Sequence, residues 1–424
     1  MPTPSLLIVP ARFKSGKLYS QIPTSGAGDF TVTRATNATR VNASGLIESV
    51  ASGIPRLDYY TSGGTAGCPA LLVEPSAQNL ALQSEDFLTT WAQTNLAITT
   101  GFTSPSNNAN GTLIEATANT GRLRQTFAAI TSGTTHTFSL FAEAGNLALA
   151  SGVSLVFQEG TGTNFVSGVV QSFRLDTGTL GASGTLGAGF TLTRASIEDY
   201  GNGWYRCSMT VTVSYTPASA NISIRPTSTI VSNLPSTVSG GSAYIYGAQL
   251  ETGSVATSYI PTTTAAVTRN ADVVSVSGAV SGSIGQLSGT IYAEVDVQSA
   301  FLGAILTIDD GDTSDFISIL RLGNFQIRAR IRRANSTITS IITSAAVSVG
   351  THKIALAYTN GDYALYIDGV NAGTSTNSTD YPATSLTQCV LSNTNYVPFN
   401  DRILVAALYT TRLTNAELAA LTSL

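Results

Sequence analysis

Apolar and polar positions alternate with a period of two along most of this chain. In Ile291-Tyr292-Ala293-Glu294-Val295-Asp296-Val297, the residues Ile291, Ala293, Val295 and Val297 share one face of a predicted strand. Thr135–Leu140 and Cys207–Val213 read as further strands. Asn360-Gly361 sits between two strand-like runs and predicts a tight hairpin, and Asp368-Gly369 predicts a second turn. A helical period occurs only near the C-terminus. There Thr414 and Glu417 form a capping box, and Leu418 and Leu421 supply an apolar stripe. The pattern predicts an all-β, antiparallel chain that closes on one short helix.

Spacing and turn signals divide the chain into three consecutive parts. Residues 1–78 are turn-rich, with short apolar runs such as Leu71-Leu72-Val73. Residues 79–263 carry strands at the spacing of a β-sandwich, and Pro261-Thr262-Thr263-Thr264 reads as a linker. Residues 264–424 predict a second sandwich.

Composition narrows the class. Of 424 residues only 11% are charged, and lysine occurs only at Lys14, Lys17 and Lys353. Such a chain suits neither long solvated helices nor a disordered polar tract. A net charge of −4 argues against nucleic acid as a partner. Three cysteines and two histidines supply neither a disulfide framework nor a Cys/His zinc site. No apolar run approaches a membrane span, and the start lacks a basic segment ahead of its short apolar run. Neither membrane insertion nor an export signal is therefore expected.

Candidate chemistry concentrates in the last part. Arg328, Arg330 and Arg332 alternate with Ile327, Ala329 and Ile331, so a strand would align three guanidiniums on one face. Arg333 and Arg321 lie close by in sequence. Such a row suits the carboxylates or sulfates of a glycan, or equally a solvated sheet face. Tyrosine rings pack on sugar C–H patches, and Tyr363 joins the row as a glycan-binding candidate, with Tyr59, Tyr60, Tyr366 and Tyr396 behind it. Asp309, Asp310 and Asp312 open a run of four carboxylates in seven residues. They are candidate calcium ligands, or caps of a solvated turn. Glu294 and Asp296 share a strand face, but Ser299 stands where a third carboxylate would complete a glycosidase pattern. Trp91 and Trp204 read as core.

Residues 34–82 contain an ordered succession of blocks. Arg34, Thr39-Arg40, Gly45 and Ile47-Glu48 come first. Ile54-Pro55-Arg56-Leu57-Asp58-Tyr59, Cys68-Pro69, Leu71-Leu72-Val73-Glu74-Pro75 and Asn79-Leu80 follow. The succession resembles the N-terminal region of bacteriophage virion fibre and spike proteins. Ser84-Glu85-Asp86-Phe87 with Trp91, Gly203-Trp204-Tyr205-Arg206, the run Tyr244–Glu251 and Tyr259-Ile260-Pro261-Thr262 resemble a galactose-binding-like jelly roll. Leu365–Gly369 and Arg412–Leu418 resemble a concanavalin-like, laminin-G-type sandwich.

The resemblance implies a head or tail fibre or spike on the virion surface, assembled in the bacterial cytoplasm as a homotrimer. Residues 1–78 would dock to other virion proteins, and the two sandwiches would adhere reversibly to host-surface glycan. Neither an enzyme nor a cofactor is implied, calcium apart. The rival readings are a purely structural fibre and a glycan depolymerase working through Glu294 and Asp296.

Overall fold

The computed structural model describes all residues except 1, 129, 147, 151, 161–166, 228, 232–233, 335–337, 343–344, 379–380 and 383–384. Among the described residues, strands dominate, and the one α-helix is Asn415–Thr422. Thr414 caps it, with reciprocal hydrogen bonds to Glu417, and Leu418 is buried against the sheet beneath.

The period-two segments become strands with the predicted faces. Ile291, Ala293, Val295 and Val297 are all fully buried in one core. Both hairpins form. Thr359 pairs with Asp362 around Asn360-Gly361, and Ile367 pairs with Val370 around Asp368-Gly369. Asp368 and Gly369 both have positive φ, which a two-residue hairpin requires and which Gly and Asp tolerate.

The strands make two sandwiches, and one of them is discontinuous in sequence. Its eight-stranded sheet runs Val370–Ser375, Asp362–Ile367, Gly350–Thr359, Ser288–Val297, Asp401–Tyr409, Gly64–Val73 and Leu57–Thr61, with Leu6–Ile8 also paired to Asp401–Tyr409. Its nine-stranded sheet begins with Phe13–Lys14, Lys17–Leu18 and Phe30–Thr33. It continues through Val273–Ser277, Gln388–Ser392, Gly303–Asp309, Phe316–Arg321, Ile327–Arg332 and Ile338–Ile342. One apolar core lies between them, drawing Leu6, Phe30, Leu57 and Val73 together with Ile319, Leu356 and Ile403.

Residues 1–78 are therefore not a separate leading part, as their turn-rich pattern suggests. Their short strands expose edges and too little apolar surface for a core of their own. They complete sheets whose other strands lie hundreds of residues downstream, and no local periodicity reports such pairing.

The second sandwich is inserted into the first. Ala77–Asn79 pairs with Val267–Arg269, Asn79 opposite Val267, so the chain enters and leaves the insert side by side. The 261–264 stretch is no loose linker: Thr262 is buried, donates to the Ala81 carbonyl (2.5 Å) and accepts from the Ser84 amide (3.2 Å). The insert has two six-stranded sheets around a core that includes Phe138, Leu140, Phe157, Met209 and Ile222. One sheet holds Thr135–Ala144, Phe190–Asp199 and Trp204–Val213, and the other holds Arg122–Ala128, Gly152–Glu159, Gly168–Arg174 and Ser219–Thr227.

Candidate functional site: an arginine face and a buried charge network

The residues that carry the sequence resemblance converge on the seam between the sandwiches. Arg56 is fully buried. It donates to Glu74 (2.5 Å), the Ser258 hydroxyl (2.8 Å) and the Thr39 carbonyl (3.2 Å), and it pairs with Asp272. Arg34 holds the other Asp272 oxygen at 2.9 Å, and Arg269 lies 3.4 Å from Glu74. Burial alone would lift the Glu74 carboxyl. Arg269 and Arg56, with hydrogen bonds from Ser258, instead hold it well below the usual carboxylate range. Asp58 accepts from Arg402 (2.7 Å) and from the Val41 amide (2.9 Å). Tyr60 and Tyr200 meet across the seam with ring centroids 4.7 Å apart. Ile47, on the hairpin of Ala38–Val41 and Ile47–Val50, packs into an aromatic cluster with Phe141, Trp204, Tyr246 and Tyr259.

This network fastens the insert to the split sandwich: Glu74, Asp272 and Asp58 are each paired with arginine, while Arg269 Nε and Nη2 are buried without a hydrogen-bond partner. Only a cavity of about 70 Å³ remains among Arg40, Asp58, Glu198, Arg206 and Arg402. A second cavity, of about 320 Å³, lies where the tip of the hairpin meets Glu143 and Trp204. Trp204 and Trp91 are both buried, as core aromatics.

The arginine row is where the sequence puts it. Ile327, Ala329 and Ile331 are buried in the core, while Arg328, Arg330 and Arg332 are half-buried on the outer face of the nine-stranded sheet. Register sets Phe316 opposite Arg332, Ser318 opposite Arg330 and Leu320 opposite Arg328. The Arg330 guanidinium lies 5.4 Å from the centre of the Phe316 ring, and Tyr396 meets that ring edge-on at 5.7 Å. The Tyr396 hydroxyl donates to the Asp312 carbonyl at 3.2 Å. Arg332 is tied to the Thr313 carbonyl at 3.1 Å. Burial, with Arg328 and Arg332 beside it, lowers the Arg330 pKa. The face thus offers a cation seated on an aromatic ring, bordered by a half-buried tyrosine.

Nothing in the local sequence singles out Phe316, and Tyr396 is one of several equivalent tyrosines there. Both are found only through register and a loop that folds back over the sheet.

Tyr363 does not belong to this face. It is fully buried in the strand Asp362–Ile367, with its ring in the core between the sheets, and no ligand reaches it. The sequence pattern around it shows a hairpin but not which side of the strand faces inward.

The aspartate run forms a turn. Asp309 accepts from the Gly311 amide (3.0 Å), Asp310 from the Ser314 hydroxyl (2.7 Å) and Asp312 from the Ser314 amide (2.5 Å). Among the described residues, no three His, Cys, Asp or Glu side chains gather as a metal site. Glu294 and Asp296 share a strand and are engaged separately, Glu294 with the Tyr292 hydroxyl (3.4 Å) and Asp296 with the Gln298 amide (2.6 Å).

Asp309 is buried at its strand end, and burial pushes its carboxyl up to about 6 against the opposing pull of the Gly311 amide and the Tyr396 hydroxyl. The ionised form is therefore disfavoured in the fold. Stability falls as pH rises from the unfolded value near 4 through about 6, and is level above that. Asp309→Asn is expected to stabilise the protein by about 1–3 kcal/mol at pH 7, with the gain vanishing near pH 4. Urea denaturation at the two pH values checks this, and an equal effect at both contradicts it.

No protein-family model and no curated protein sequence matches the chain. Partial likenesses to solved structures exist. The Ruminococcus gnavus IT-sialidase CBM40 bound to alpha2,6 sialyllactose aligns over 33% of this chain and 85% of its own, at 18% identity and a TM-score of 0.29. Domain 4 of AbnA, a GH43 extracellular arabinanase from Geobacillus stearothermophilus in complex with arabinotriose, aligns over 36% and 73%, at 16% identity and 0.31. The receptor binding domain of botulinum neurotoxin C/D mosaic serotype aligns over 35% and 40%, at 10% identity and 0.30. These likenesses assign neither a family nor a ligand.

Proposed function

We propose that this chain is a virion-surface fibre or spike subunit of a bacteriophage. In this reading it binds host-surface glycans reversibly, without covalent chemistry, through the outer face of its nine-stranded sheet. The observation that carries the glycan reading is Arg330 seated over Phe316 beside Tyr396, on a row of three half-buried arginines. A guanidinium grips a carboxylate or sulfate with directed hydrogen bonds, while an adjacent aromatic packs on the sugar ring. The virion assignment rests on the resemblance of residues 34–82, whose blocks here build the seam that holds the sandwiches together. Homotrimeric display would raise the avidity of individually weak sites.

The test is binding of purified protein to bacterial capsular and lipopolysaccharide glycans by calorimetry. Arg328→Gln with Arg330→Gln is expected to weaken binding about 10- to 100-fold, the loss of one or two charge-assisted hydrogen bonds. A wild-type protein that binds no acidic glycan, or a double variant that binds as well as wild type, overturns the assignment of this face.

A further inference from the structure

We infer that the second cavity, between the hairpin tip and the insert, binds an amino sugar, with Glu143 taking its ammonium. The site is separate from the arginine face and does not rest on it. In the strand Thr135–Ala144, Leu140 and Ala142 point into the insert's core, so Phe141 and Glu143 face outward, toward the hairpin. Register sets Glu143 opposite Trp204 on one neighbouring strand and opposite Tyr244 on the other. Ile47 packs with Phe141 and Trp204, and its amide donates to the Pro105 carbonyl at 3.0 Å. Beyond Ile47 the contact opens. Gly45 and Leu46 at the tip, Ser104 and Asn107 in the loop after Leu96–Phe102, and the turn from Tyr200 to Trp204 border about 320 Å³. Small-molecule sites occupy roughly 300–1,000 Å³, so this one suits a single small ring.

Among the described residues, Glu143 is the one charged side chain that lines this cavity, and it makes no ion pair or side-chain hydrogen bond. It is half-buried, and burial lifts its carboxyl above the ordinary carboxylate value with no cation to oppose it. A carboxylate taken partly out of water without a cation is costly, and a cation brought by a ligand restores the balance. The walls select the kind of cation. Trp204 and Tyr200 line the cavity, and aromatic rings both attract an ammonium and pack on the C–H patches of a sugar. Asn107 and Asn202 stand exposed at the mouth, their side-chain amides engaged by no other described residue. An amide both donates and accepts, which suits ring hydroxyls. A primary ammonium donates charge-assisted hydrogen bonds to the carboxylate, which a quaternary one cannot. A small ring carrying a primary ammonium and hydroxyls is a hexosamine.

The turn beside Glu143 leaves the carboxylate open. Gly201, Asn202 and Gly203 all have positive φ (78°, 54° and 86°), a path that glycine and asparagine tolerate. The Gly201 amide donates to Asp199 at 2.8 Å and the Trp204 amide to the Gly201 carbonyl at 3.0 Å, so the turn is held in shape without drawing on Glu143. A Cβ at position 203 would stand 3.1 Å from Glu143 Oε1. Glycine there keeps side-chain bulk off the carboxylate.

The experiment is calorimetric titration of the full chain, in amine-free buffer at pH 7, with glucosamine, N-acetylglucosamine, methyl glucoside, choline and N-acetyl-lysine amide. The arginine face repels an ammonium, so it does not report. Glucosamine is expected to bind, and N-acetylglucosamine and methyl glucoside at least tenfold more weakly. Glu143→Gln keeps the shape and removes the charge. It should weaken glucosamine at least tenfold while leaving thermal stability equal or higher, opposite signs that a merely structural role does not give. Asn202→Gly, at a φ that glycine adopts freely, should keep the turn and weaken glucosamine severalfold. N-acetylglucosamine or methyl glucoside matching glucosamine overturns the ammonium assignment. Choline or N-acetyl-lysine amide matching it overturns the sugar assignment. No binding of glucosamine, or full affinity in Glu143→Gln or Asn202→Gly, removes this site and leaves the proposed function, which concerns acidic glycans on the arginine face, standing.

Discussion

Arg56→Met is expected to destabilise the protein by about 3–5 kcal/mol, the cost of leaving a buried ionic partner uncompensated. One guanidinium here serves four segments of chain. It reaches Thr39 in the hairpin, Glu74 at the end of a split-sandwich strand, Asp272 on the returning chain, and Ser258 in the insert. Methionine fills the volume and leaves Glu74 and Asp272 buried, with Arg269 and Arg34 as their remaining cations. Lysine is not expected to rescue, because a point ammonium cannot replace the planar fork that serves acceptors on several sides.

The pH dependence of this loss has a fixed sign. The Glu74 carboxyl is held below its ordinary value, so its contribution is present above about pH 4.5 and is lost as pH falls through its folded value. A protonated Glu74 asks less of Arg56. The deficit of Arg56→Met relative to wild type should therefore shrink on acidification. Urea denaturation at pH 7 and pH 3, well inside that window, measures both effects. A loss under about 1 kcal/mol, or a deficit that does not change with pH, would sink the claim that this cluster is a stabilising hub.

The individual elements follow from local chemistry. The alternation at Ile291–Val297, the turn at Asp368-Gly369 and the capping box at Thr414 all appear as read, because each is set by residues within a few positions of one another. The same held for the arginine row, whose outward face follows from Ile327, Ala329 and Ile331 pointing inward. Tyr363 shows the limit. Its strand is buried on nearly every residue, so no alternation marks which side is inner. Phe316 joins the site only through register, and Tyr396 only through a loop that folds back over the sheet. Arg56, Asp58 and Glu74 are visible as a motif, but the role of Arg56 and Glu74 depends on Asp272 and Ser258, about 200 residues away, and that of Asp58 on Arg402, farther still. Pairing at that separation leaves no periodic signature along the chain.

The discontinuous sandwich leads to the other large expectation: residues 264–424 expressed alone should not fold. Read locally, that segment is a complete domain. In the structure, Asp401–Tyr409 loses both Leu6–Ile8 and Gly64–Val73 along one edge, and Val273–Ser277 loses Phe30–Thr33. The core loses Leu6, Ile8, Leu18, Phe30, Val32, Leu57, Leu71 and Val73. At roughly 1.5–3 kcal/mol for each buried side chain, the loss is about 12–24 kcal/mol, comparable to or larger than the ~5–15 kcal/mol by which a domain is usually stable. The converse experiment removes the insert instead. Asn79 and Val267 are direct register partners, so a two-residue Asn-Gly turn joining them should close a hairpin. That chain is expected to fold cooperatively. It should be less stable than the full protein, because Ile47 loses its aromatic cover and Arg56 loses Ser258. Far-UV circular dichroism and urea titration distinguish the two chains. A cooperative transition in 264–424 alone would show that the first strands are accessories to its fold, whereas its absence there and presence in the joined chain makes them part of the fold itself.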